Sequence, residues 1–204
     1  MRLLLSSRTV SRKSPRRLLL FFVIAALLAP VSATAQVDHT INVGATRDYL
    51  AVSVDVSGAD AAMLFANIND GLTARLEFII RVLEARRGLL SVFGSRMLRE
   101  FRVIYETRYD PFRRRYTVTT QDGGFYTFGD RARLLDFFFT LPGYRIPWAA
   151  LGLDHAAPDA ELVVETRVVY EPIVFAPGLS ILSGLMSDTR RQSPWRVVPV
   201  RGGT

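Results

Sequence analysis

From about residue 38 the chain alternates apolar and polar positions in long runs, and twice the period changes to that of a helix. The runs HTINVG (39–44) and DYLAVSVDVSG (48–58) read as two strands of a hairpin, with Leu50, Val52, Val54 and Val56 on one face. Ala61, Leu64, Phe65 and Ile68 then recur at i, i+3, i+4 and i+7 behind Asp60, which is placed to cap a short helix. Asn69-Asp70-Gly71 reads as the end of that helix, because alternation exists on only one side of it. Downstream, Ala74, Leu76, Phe78, Ile80 and Val82 form a fully apolar face, and Arg75, Glu77, Ile79, Arg81 and Leu83 a mixed one. That is a long strand with one side in a core.

The segment REFRVIYETRYD (99–110) puts Phe101, Val103, Tyr105 and Tyr109 opposite Arg102, Glu106 and Arg108. Asp110-Pro111 turns the chain, and RRYTVTTQ (114–121) returns with Tyr116 and Val118 inward, until Asp122-Gly123-Gly124 closes the unit. A second helix is predicted from Asp130 to the Pro142-Gly143 stop, with Leu134, Leu135, Phe138 and Leu141 as its stripe. Phe137 and Phe139 widen that stripe; exposed, they would mark a partner or membrane contact. YRIPWAAL (144–151) is an edge strand, since Pro147 cannot donate to a ladder. AELVVETRVVYEP (160–172) is the last strong strand, and SPWRVVPV (193–200) adds a short edge strand before a disordered tail, 201–204. RVIYE (102–106) returns as RVVYE (167–171), read here as shared strand composition because no longer repeat accompanies it.

The N-terminus changes the electrostatic picture. Arg2, Arg8, Arg12, Lys13, Arg16 and Arg17 precede the 12-residue apolar run from Leu18 to Ala29, and Ala33-Thr34-Ala35 follows Pro30. This is the pattern of a signal peptide, residues 1–35, cleaved after Ala35; the run is shorter than the roughly 20 residues of a membrane span, and a retained anchor is the alternative. The segment holds six of the 26 basic residues and none of the 19 acidic ones, leaving 20 cations against 19 anions. A nucleic-acid partner thereby loses its main support. Residues 36–47 are an N-terminal extension or first strand, and 48–200 a single β-rich domain. The expected fold is mainly β, an antiparallel, sandwich-like, immunoglobulin-like domain with two short helices.

Little catalytic chemistry is legible. There is no cysteine, and Lys13 is the only lysine, which removes thiol nucleophiles, Schiff-base chemistry and a phosphate-loop lysine. His39 and His155 lack metal-ligand spacing, no G-x-S-x-G marks a nucleophile, and no cofactor is expected. A hydrolase would have to assemble Asp154, His155 and Asp159, or a carboxylate pair drawn from Asp70, Glu77, Asp136 and Glu165. No catalytic, cofactor-binding or metal residue is assigned. The surface candidates are the basic cluster Arg113, Arg114 and Arg115, suited to an anion or lipid headgroup, and the aromatics Phe137, Phe139 and Trp148.

The order of short helix, NDGLTARLEFIIRVLEARRG, FRVIYETRYDPFRRRYTV, RARLLDFFFTLPG and late strand resembles the uncharacterised exported bacterial family known as domain of unknown function 4390, over roughly residues 48–200. Gly71-Leu72, Tyr105, Tyr109-Asp110 and Arg115-Tyr116 carry the resemblance. It implies an exported β-rich protein, sometimes encoded beside a membrane sensor kinase, with no catalytic residues to carry over. The expected function is a non-catalytic periplasmic or cell-envelope module that binds an envelope or membrane protein, with peripheral membrane contact as a further expectation. The alternatives are a carrier of lipid or small apolar ligands, suggested by the aromatics from Phe125 to Trp148, and the hydrolase.

Overall fold

The computed structural model describes residues 37–85, 95–153, 161–174 and 190–200, all within one compact unit, Ala35–Thr204. The predicted signal segment, the tail 201–204 and the loop carrying Asp154, His155 and Asp159 lie outside the described residues. The fold is mainly β, with two helices and antiparallel sheets.

Strands β1 (Asp38–Ala45) and β2 (Tyr49–Ser57) form the predicted hairpin. Helix α1 (Ala61–Asn69) starts where Asp60 accepts a hydrogen bond from the Met63 N–H at 3.0 Å. It ends at Asp70, and Gly71 takes the left-handed φ of +85° that a side chain would resist. Strand β3 (Thr73–Glu84) follows, then β4 (Arg96–Asp110) and β5 (Arg115–Thr120), as the alternation predicts. A short strand β6 (Phe125–Phe128) was not legible: the Asp122-Gly123-Gly124 turn starts another hairpin rather than closing the unit. Four residues reading Phe-Tyr-Thr-Phe carry too little alternation to announce a strand.

Helix α2 (Arg131–Phe138) starts at Asp130, whose carboxylate accepts from the Ala132 N–H. It stops before Pro142-Gly143, which lies instead inside β7 (Thr140–Pro147). There the register slips, so Ser53 faces both residues; Gly143 adopts φ +54° and its N–H donates to Ser53 Oγ at 3.0 Å. A bulge on an edge strand tolerates a proline that a central strand would not. The chain ends with a short 3-10 turn (Trp148–Leu151), β8 (Leu162–Val174), β9 (Arg191–Gln192) and β10 (Arg196–Pro199).

One sheet has the order β1-β2-β7; the other runs β10-β8-β3-β4-β5-β6, with β9 also on β8. The inner positions Leu50, Val52 and Val54 of the small sheet, Leu76, Phe78, Ile80, Val168 and Tyr170 of the large one, and Leu64, Ile68, Leu134 and Phe138 of the helices form one hydrophobic cluster. Each such side chain contributes on the order of 1.5–3 kcal/mol by leaving water. At one margin, β1 is tied to the large sheet: buried His39 places Nε2 2.7 Å from Thr166 Oγ1 on β8, and Asp38 pairs with Arg196 on β10 at 2.6 Å.

Candidate functional site

Among the described residues the large sheet stops at β6, which pairs there with β5 alone, so one side of its backbone has no strand partner among them. The chain then folds α2 back against β5 and β6, with Leu134 and Phe138 in the core and Phe137 half-buried. Phe137 is the hub of an aromatic cluster. Its ring stacks on Tyr105 at 5.7 Å and tilts against Tyr126 at 4.6 Å and Phe128 at 5.2 Å. Beside it lies an open groove of about 360 Å³, lined by Phe128, Arg133, Asp136, Phe137, Thr140 and Pro142. Its floor is apolar, and one cation and one anion stand among its walls. Phe125 and Tyr126 on the open strand remain 54% and 43% exposed, far more than aromatic rings with a core to enter. Burial raises the Tyr105 hydroxyl above its ordinary range.

The surface candidates separate. Arg113, Arg114 and Arg115 are all exposed at the β4–β5 tip and do not line the groove. Phe139 faces the core, its ring 5.2 Å from Phe138 and 5.7 Å from Tyr170, and its carbonyl accepts the Val56 N–H. Trp148 corrects the expectation of a contact residue: it is 3% exposed, and its indole N–H donates to the Thr46 carbonyl at 3.0 Å. An indole with a backbone acceptor within reach is a core residue with its polar end satisfied. The Phe-rich segment thus divides among core, groove and open edge.

The carboxylates proposed for a hydrolase are also dispersed. Asp70 is the exposed C-cap of α1, Asp136 is on α2, and Glu77 and Glu165 occupy the outer face of the large sheet. Glu77 accepts from Arg102 at 3.0 Å, which makes it a structural anion. Among the described residues, no three His, Cys, Asp or Glu side chains gather as metal ligands.

That outer face has an order the sequence only hinted at. RVIYE on β4 and RVVYE on β8 flank β3 in the same register: Arg75 stands between Glu106 and Glu171, Ile79 between Arg102 and Arg167, and Arg81 between Glu100 and Glu165. The echo is the signature of two strands answering one central strand. Arg75 contacts Glu106 at 2.6 Å and Glu171 at 3.9 Å, and Glu100 accepts from both Arg81 and Arg102, which hold its carboxyl below the usual range. Trp195 closes the face between two guanidinium groups, Arg81 at 4.2 Å and Arg167 at 4.7 Å. Because most of these cations meet anions and Arg167 is covered by Trp195, the groove with its open strand is the stronger candidate.

The chain matches no protein-family model, no curated protein and no solved structure. Among the described residues no helix is long and apolar enough to cross a membrane.

Proposed function

We propose that this protein is an exported, non-catalytic cell-envelope module that binds a protein partner, taking an extended segment of it along the open side of β6. The observation that carries the reading is the coincidence, among the described residues, of a strand paired on one side only with an apolar groove at the same margin. Natural sheets blunt open edges with charges, prolines or covering elements; β6 instead presents Phe125, Tyr126 and Thr127. An added strand gains main-chain hydrogen bonds from the edge and places alternate side chains against Phe128 and Phe137, with Arg133 and Asp136 available to fix its direction. The signal-like N-terminus supports export, and the resemblance to the exported family stands with this reading. A sandwich-like, immunoglobulin-like arrangement belongs to the proposal too, supported by the single core cluster that both sheets supply.

The test is site-specific photo-crosslinking in the native envelope, with the probe at Tyr126, at Thr127 and, as control, at Asn42 on β1. One envelope protein captured from the first two positions and absent from the control is the expected result. Equal capture at all three, or none at the β6 positions, rejects the site.

A further inference from the structure

We propose that the β4–β5 hairpin tip is a membrane-surface anchor that rests on anionic phospholipid headgroups. Phe112 is 97% exposed, a whole aromatic ring held out in water at the end of β4, the longest of the described strands. Its presentation is built, because Asp110 accepts hydrogen bonds from the Phe112 and Arg113 N–H groups at 3.0 and 3.1 Å. Arg114 at φ +51° completes the tight turn. This is an Asx-type turn that fixes the backbone on which the ring is carried.

Around that ring cations predominate. Arg113, Arg114 and Arg115 are exposed, and Arg108 is exposed just behind them on β4. The carboxylate of the turn, Asp110, spends an oxygen on the Phe112 and Arg113 N–H groups and meets the Arg113 guanidinium at 3.9 Å. On the outer face of the same sheet Arg75, Arg81 and Arg102 each meet a glutamate, whereas among the described residues of the tip Arg113 alone meets a carboxylate. An unneutralised arginine cluster that surrounds an aromatic ring is complementary to a lipid surface, where headgroup phosphates take the guanidinium groups and the acyl boundary takes the ring. Binding at a membrane surface grows with the apolar area buried and with attraction to anionic lipids, and the tip offers both in a reversible contact. None of Phe112, Arg113, Arg114 and Arg115 lines the β6 groove, so the proposal does not rest on the partner reading.

The experiment is cosedimentation of residues 35–204, the compact unit that carries the described core, which omits the apolar N-terminal run that would enter vesicles by itself. The vesicles are phosphatidylcholine alone or with 30% phosphatidylglycerol. Binding is expected only to the anionic vesicles and is expected to fall sharply between 50 and 500 mM salt, since these charges lie in water. The triple change Arg113→Gln, Arg114→Gln and Arg115→Gln should weaken binding by about a hundredfold, from roughly fivefold per cation. Phe112→Ser should weaken it by roughly tenfold at constant charge. Phe112→Trp supplies a second readout, a blue shift of its emission on anionic vesicles alone. Equal binding to neutral vesicles, unchanged binding of the triple variant, or an unshifted tryptophan would each overturn the proposal. So would a photo-crosslinker at Phe112 that captures protein and no lipid.

Discussion

The hydrogen bond between His39 and Thr166 offers a test whose sign is unusual. Both residues are 1% exposed, Nε2 lies 2.7 Å from Oγ1, and Nδ1 has no partner. Thr166→Val removes the hydroxyl with almost no change of shape, so it makes no cavity; what it leaves is a buried ring nitrogen that has lost its only partner. Such an orphaned group costs about 1–3 kcal/mol. For a domain of this size each kcal/mol moves the melting temperature by about 2–4 °C, so a loss of about 4–8 °C is expected for a central value near 2 kcal/mol. His39→Leu in the same background removes the stranded group. The double variant should therefore be more stable than Thr166→Val alone, although it carries one more substitution. Thermal and urea unfolding of residues 35–204 at pH 7.5, followed by circular dichroism, measures all four proteins. A Thr166→Val protein within about 0.5 kcal/mol of the parent, or effects that simply add, would refute the claim that this contact joins β1 to the large sheet.

Three further outcomes are expected. Burial holds the His39 pKa below its ordinary value of 6.5; Asp38 pulls the other way, and Arg196 adds a smaller push in the same direction as burial. The unfolded chain therefore binds the extra proton first: stability is full above about pH 6.5 and falls as the pH drops below it, and urea midpoints at pH 7.5 and 5.5 should converge in His39→Leu. Asp60→Ala removes the acceptor for the Met63 N–H and should cost about 1 kcal/mol in the same unfolding assay, with a Ser replacement recovering most of it. Leu76→Ala, at a fully buried position paired with Tyr105 on one side and Tyr170 on the other, should cost about 2–5 kcal/mol; a loss below 1 kcal/mol would mean that the core is not packed there.

Local order was written in the sequence wherever a single strand or helix had to choose its own inner face. The period of Leu50 to Val56, the Asp60 and Asp130 caps, Gly71 after α1, and the apolar face from Ala74 to Val82 each follow from short-range stereochemistry and from the need to remove one face from water. The hairpin at Asp110-Pro111 is legible for the same reason. Tertiary structure alone decided where those faces meet. Trp148 looked available to a partner until the Thr46 carbonyl came within reach of its indole from more than a hundred residues away. Pro142-Gly143 carried a helix-stop signal, yet pairing with β2 had already captured Thr140 and Leu141. The RVIYE and RVVYE echo became meaningful only when both segments lay in register on either side of β3, a long-range pairing set by which strand completes the core. The candidate groove belongs to the same class: Tyr105, Phe128 and Phe137 stand apart in sequence, and only the return of α2 over the last hairpin brings their rings together. Sequence periodicity reports which side of an element avoids water, whereas contact between elements depends on chain closure over long distances, and no local pattern encodes it.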